Sequence, residues 1–455
     1  MLAALLLASC GAQAPTTGQP TAAPGATAAS TAVPTAAPAA PTSAPATSQP
    51  TNAPAPAPTD APVAPTATTE PSGGGAPVPG SSGEILFLRG GALTALDLGS
   101  RRERQIAEGV SDFVVAPGGA QIALVRGADA QAELWTVQRD GSGLNRLTNN
   151  RRVEWHPSWS PDGTALVFAS AEAARLPDQD WFGWSRWCAI SEVRLLNLAD
   201  RAETTLARGC DPAFSPDGRR IAYAAPPTQP ETGIGDAPPL TINSIRLINR
   251  QGQNGWDFAR AAGPDAPAPD TGRVVYGPVW SPDGKQLLYQ RFLGYQALVD
   301  INQSELAASF NGKGQPLMSG AGWLPGASFT PDGRSVAITE RNVGDARGLT
   351  GYDIWSVTVL RLEGSREVAL PSGPVTMLGT EVETLARGQM AAWSPDRTRM
   401  AVQLPPGWRA DLPQDTPVDA DGQPGELWLW RPGTPPSERL ATQVDFASPL
   451  AWLAP

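Results

Sequence analysis

The sequence predicts an all-β chain folded as a seven-bladed β-propeller. Three observations carry that reading: a short phrase recurs, an apolar strand follows each copy, and the two ends of the chain complement one another. Trp159-Ser160-Pro161-Asp162-Gly163 returns as Phe214-Ser215-Pro216-Asp217-Gly218, as Trp280-Ser281-Pro282-Asp283-Gly284 and as Phe329-Thr330-Pro331-Asp332-Gly333. Trp393-Ser394-Pro395-Asp396-Arg397 is a worn copy, and Val115-Ala116-Pro117-Gly118-Gly119 precedes the first clear one. The anchor prolines lie 44, 55, 66, 49 and 64 residues apart, a spacing that marks a repeat architecture.

Within each copy, proline presets φ at the second turn position, Asp suits the third, and Gly accepts positive φ as the chain leaves. Apolar strands follow: Ala165–Phe168, Ile221–Tyr223, Leu287–Tyr289, Val336–Ile338 and Met400–Val402. Two more strands complete each unit, as in Glu133–Val137 and Leu144–Leu147 around a polar turn. Four antiparallel strands per repeat, stacked radially, make a propeller. The first hairpin, Ile85–Leu88 and Leu93–Leu96 through Gly90-Gly91, lacks a preceding anchor strand. Leu450–Pro455 supplies one, with Pro455 60 residues beyond Pro395. The last strand should therefore complete the first blade and cover two open sheet edges. Six blades is the alternative if the copy at Pro117 is not a repeat.

The phrase followed by an apolar strand resembles the propeller repeat of TolB-like and WD-repeat-like proteins, and that of prolyl-oligopeptidase-type enzymes. It covers residues 84–455. It implies the fold, but it leaves function open because propellers host many activities. The N-terminal α/β domain of TolB has no counterpart in this sequence, so the resemblance stops at the propeller.

Ahead of the propeller, residues 11–83 are almost wholly Pro, Ala, Thr, Ser, Gly and Gln. Asp60 and Glu70 are their only charges, and all 15 Trp lie beyond them. Such a segment cannot bury enough apolar surface to offset its ordering entropy, so it is expected to be a disordered tether. Extended, it would reach on the order of 200 Å. Residues 1–10 end in Leu7-Ala8-Ser9-Cys10, which resembles the lipobox of bacterial lipoproteins. That resemblance implies a signal segment, a lipid anchor at Cys10 and an extracytoplasmic, membrane-attached domain in the periplasm or at the cell surface. A start upstream of Met1 would account for the short apolar run and the lack of a preceding Lys or Arg.

Two further cysteines remain. Reflecting the hairpin of Glu192–Leu196 and Thr204–Leu206 about Asp200 brings Cys188 opposite or nearly opposite Cys210, within disulfide range. The net charge of −10 argues against nucleic acid, which needs a basic face.

The Pro-Asp-Gly turns define a plain face of the propeller. Second-to-third-strand loops at 171–188, 226–242, 341–351 and 405–425 lie on the opposite face, with inter-blade links near 259–275 and 311–325. Only the segment near 364–377 falls on the plain side. One-sided elaboration marks a candidate binding face. It carries Trp181, Phe182, Trp184, Arg186 and Trp187, with Trp323, Trp408 and Arg409 in other insertions. These aromatics read either as an exposed platform for a protein, peptide or cell-wall glycan, or as an internal plug.

Asp411, Asp415, Asp419, Asp421 and Glu426 read as a solvated acidic loop, because calcium-loop spacing is absent. No metal and no cofactor is expected. His156 is the chain's one histidine and is expected to hydrogen-bond within its blade. With no Gly-x-Ser-x-Gly elbow and one histidine, the sequence favours a non-enzymatic binding protein. A carboxylate-dependent hydrolase or lyase acting on polysaccharide, and a purely structural envelope protein, are the alternatives.

Overall fold

A computed structural model describes residues 82–455, apart from 128, 174–180, 227–228, 231–240, 262–273, 297–298, 309–313, 321–322, 344–352, 371–372 and 412–422. Cys10 and residues 11–81 of the 11–83 tether therefore lie outside the described residues. The recurrent phrase builds seven four-stranded antiparallel blades. Innermost strands are Ala451–Leu453 in blade one, Val110–Val115 in two, Val153–Trp159 in three and Cys210–Phe214 in four. Val274–Trp280, Trp323–Phe329 and Ala391–Trp393 are those of blades five to seven. Blade one takes its inner strand from the end of the chain: Glu84 pairs with Leu453, Ile85 with Trp452 and Leu86 with Ala451. Closure by the last strand hides both edges.

The phrase works as a turn and as a joint. In blade three the Gly163 amide donates to Ser160 O at 2.8 Å, and Asp162 Oδ1 accepts the Ser160 hydroxyl and the Thr164 amide. Gly163, Gly218, Gly284 and Gly333 take φ of 69°, 67°, 67° and 70°. A Cβ on Gly218 would stand 3.3 Å from Pro161 of the previous turn, so successive turns pack edge to edge on the plain face. The tryptophan of the phrase binds blade to blade. Trp159 Nε1 donates to Val114 O, Trp280 Nε1 to Ala213 O and Trp393 Nε1 to Ser328 O, at 3.1–3.2 Å. Apolar residues of successive blades interleave in the core around Leu166, Tyr223, Tyr289, Ile338 and Val402.

The elaborated face differs in detail from the sequence reading. The 171–188 insertion contains a helix, α1 (Trp181–Ile190). The second and third strands of blade five, Gln286–Gln296 and Val299–Ala308, are prolonged as a ladder that the sequence did not suggest. On the plain side, Asp353–Leu370 and Gly373–Ala386 run as one long hairpin. Glu426 does not belong to a solvated loop. It lies in the third strand of blade seven, Gly425–Trp430, is 7 % exposed, and accepts from Arg439 and Trp428. Asp411 pairs with Arg409, while Asp415, Asp419 and Asp421 lie outside the described residues. Among the described residues no helix is long and apolar enough to cross a membrane.

Candidate functional site

The inner strands of blades two to six each break register midway, at Val110/Asp112, Trp155/Ser158, Cys210/Ala213, Tyr276/Val279 and Trp323/Gly326. Such bulges re-aim side chains. The equivalent position, five residues before each anchor proline, reads Asp112, His156, Asp211, Gly277, Gly326, Met390 and Leu450 around the ring. His156, Asp211 and Gly277 hold φ of 47°, 49° and 56° there. Polar side chains thus occupy three adjacent blades, and the remaining positions are bare or apolar.

Asp211 is the hub. Its Oδ1 lies 2.9 Å from His156 Nδ1, and its Oδ2 accepts Trp184 Nε1 at 2.8 Å and the Gly277 amide at 3.1 Å. Three blades and α1 therefore converge on one carboxylate that is 8 % exposed. The His156 partner lies on the next blade, not within its own as the sequence reading had it, because positive φ at both residues turns them toward the axis. His156 keeps 47 % of its side chain accessible although it stands on an inner strand, so it faces open space within the ring. Desolvation by the surrounding strands acts to lower the imidazole pKa. The hydrogen bond donated to Asp211 and the charges of Asp211 and Asp112 outweigh it and hold the imidazole above its ordinary value. Burial pushes Asp112 up to about 6, against the pull of the His156 charge and the Phe113 amide. Pinning Nδ1 on Asp211 leaves Nε2 as the face His156 offers to a ligand. Among the described residues no group of three metal-ligating side chains converges.

Trp184, Trp187, Trp323 and Trp408 are packed instead of displayed. Trp184 is 4 % and Trp187 5 % exposed, which corrects the exposed-platform reading for both. Trp184, Trp187 and Cys188 stand three and four residues apart, so one face of α1 carries them into the core. Trp184 lies 5.5 Å from Tyr276, which stacks on Trp323 at 4.3 Å and 4°. Trp323 is 7 % exposed and converges with α1 through that tyrosine. Trp408 does not: 9 % exposed, it packs edge-on against Trp428 in blade seven, and Arg409 turns outward to Asp411. Arg186 is exposed on α1, and the side chains of Trp181 and Phe182 lie outside the described residues.

Cys188 and Cys210 form a disulfide with Cα atoms 5.1 Å apart. Its path is not the hairpin inferred from the sequence. It ties α1 to the inner strand of blade four, beside Asp211. Sequence reasoning missed Asp112 and Asp211. Aligning the repeat copies on their prolines would have found both.

No protein-family model matches the chain. An uncharacterized protein of Agrobacterium fabrum is 30 % identical over 115 residues, 24 % of this chain and 37 % of that protein. A TolB homolog of Chlorobium chlorochromatii is 28 % identical over 139 residues, 24 % of this chain and 31 % of that protein. The chain thus spans about a third of the length of the curated relatives it matches. TolB from Acinetobacter baumannii superposes with a TM-score of 0.40 at 14 % identity, covering 82 % of this chain and 67 % of that one. A functionally unknown protein from Desulfotomaculum acetoxidans gives 0.49 at 11 % identity, covering 82 % and 100 %. The chain is a seven-bladed β-propeller with TolB-like relatives.

Proposed function

We propose that this protein is a non-enzymatic, extracytoplasmic scaffold that binds a protein partner at the axial opening of its elaborated face. A lipid on Cys10 anchors it, and residues 11–83 give it reach. One observation carries the binding reading. The ring position is polar on three adjacent blades only: His156 bonds Asp211 beside α1, and the Asp112 charge acts on His156 from the preceding blade. A one-sided polar patch in an otherwise bare or apolar ring gives a partner orientation as well as contact. The exposed Arg186 extends that patch outward on α1.

The test is recovery of envelope proteins by the full-length chain, compared with Asp112→Asn/His156→Ala. Loss of a saturable partner by the double variant, with its thermal midpoint retained, supports the reading; equal recovery overturns it. A glycan or peptide partner would appear instead as recovery on cell-wall material. Membrane fractionation of Cys10→Ser tests the anchor, and the variant should move to the soluble fraction.

A second reading has one observation in its favour. A carboxyl raised to about 6 beside an imidazole is what general acid catalysis uses. Turnover of polysaccharides that is lost in Asp112→Asn would establish a hydrolase or lyase.

A further inference from the structure

All four strands of blade three have an end on the elaborated face, and these ends border an open recess of about 410 Å³ lined by Arg152, Glu172, Ile190, Glu192 and Arg208. That volume lies within the range of small-molecule sites. Its charges are unequally committed. Arg152 is fixed: Nε donates to Ser170 Oγ at 2.8 Å, Nη2 to Ser170 O at 2.9 Å, and Nη2 lies 3.1 Å from Glu192. Glu172 touches Arg152 only at 3.3 Å and keeps 84 % of its side chain accessible. Arg208 is exposed and donates to Ala189 O at 3.1 Å, and no carboxylate among the described residues pairs with it.

The recess therefore offers one accessible carboxylate and one accessible guanidinium. In the strand register Arg208 stands opposite Glu192, and Glu192 opposite Ser170, two residues before Glu172. The backbones of Arg208 and Glu172 are thus offset by two strand spacings and two residues, about 12 Å. Ile190 adds an apolar surface. It is 48 % exposed, the highest among the large exposed hydrophobic side chains described, and it lies in this recess. As the last residue of α1 it also stands at the partly negative end of a helix, which favours an ammonium group.

We propose that this recess binds a small zwitterion with an aliphatic side chain, its carboxylate on Arg208, its ammonium on Glu172 and its side chain on Ile190. Free aliphatic amino acids and short dipeptides share this chemistry. The site is separate from the axial cluster and does not rest on the reading of it.

Calorimetry on the full-length protein with leucine, leucyl-leucine, leucinamide and N-acetyl-leucine tests it. Leucine or leucyl-leucine should bind saturably, and which of the two binds more tightly identifies the source. Leucinamide lacks the carboxylate and N-acetyl-leucine the ammonium, so each should bind on the order of tenfold more weakly or worse. Arg208→Ala and Glu172→Gln, both surface changes, should each produce a comparable loss while the thermal midpoint is kept. Absence of saturable binding by both zwitterions overturns the proposal. So does equal binding of the one-charge analogues, or unchanged affinity in both variants.

Discussion

Glu154 and Glu133 face one another across the seam between blades three and two, 0 % and 2 % exposed, with Asn150 donating to both. Each keeps one buried oxygen without a partner. Arg146 reaches Glu133 at 3.3 Å, and Arg194 acts on Glu154 from the third strand of blade three. Burial, helped by the Glu133 charge, pushes Glu154 up to about 7. The folded chain thus holds a proton that the unfolded chain releases near its ordinary value of 4.5. Stability is lost as pH rises between those values, by about 3 kcal/mol. His156, held above its ordinary value, adds in the same sense: its contribution is complete below that value and is lost as pH rises through the folded one. The turn aspartates Asp162, Asp217, Asp283, Asp332 and Asp396 act oppositely. They are lowered by hydrogen bonds from their own turns, so their contribution is lost as pH falls through their folded values. The thermal midpoint should therefore decline from pH 5 to pH 8 in the native chain, and Glu154→Gln should flatten that decline. A parallel decline in the variant would contradict this. At Arg397, which takes the glycine place of the turn at φ 67°, Arg397→Gly should raise stability by about 1 kcal/mol despite losing the 3.3 Å contact to Asp332. Denaturant midpoints check it. The turn residues were legible in the sequence because their chemistry is local. Asp211 was not, because its partners come from two other blades and a helix.

At the scale of elements, α1 and the disulfide set how rigid the elaborated face is. The 22-residue separation of Cys188 and Cys210 assigns the bridge about 3 kcal/mol in the chain-entropy account. Cys188→Ser/Cys210→Ser should cost on the order of that amount in denaturant unfolding. It should also raise amide exchange across 181–190 more than across blade seven. Equal exchange in both regions would show that the bridge does not hold α1. Trp184→Phe separates packing from the hydrogen bond to Asp211. It keeps the ring beside Tyr276 and removes one donor, with an expected cost of about 1 kcal/mol. The strands after each Pro-Asp-Gly were legible from alternation and turn chemistry. The helix was not, because four aromatics within seven residues read as readily as an exposed platform. The three- and four-residue spacing of Trp184, Trp187 and Cys188 was the signal that this stretch buries a face.

For the whole molecule, closure and sidedness follow from the same phrase. Removing residues 450–455 leaves Glu84–Arg89 without its inner neighbour and deletes the indole hydrogen bond of Trp452 to Ser82 O. Such a truncation should lose cooperative unfolding or self-associate through the open edge, and sedimentation would detect either. The number of blades and the closing strand were legible because prolines mark each repeat. The centre of the ring was not, since the phrase fixes the strands and leaves the residue five places before it free to vary. The binding claim is tested most directly by photo-crosslinking in cells. A crosslinker would be placed at Arg186 on the elaborated face and, separately, at Lys285 on the plain face, where the lysine side chain is 81 % exposed. A discrete adduct from position 186, absent from position 285 and lost in Asp112→Asn/His156→Ala, is the predicted result. An adduct from 285 alone, or one from 186 that survives the double variant, would contradict it.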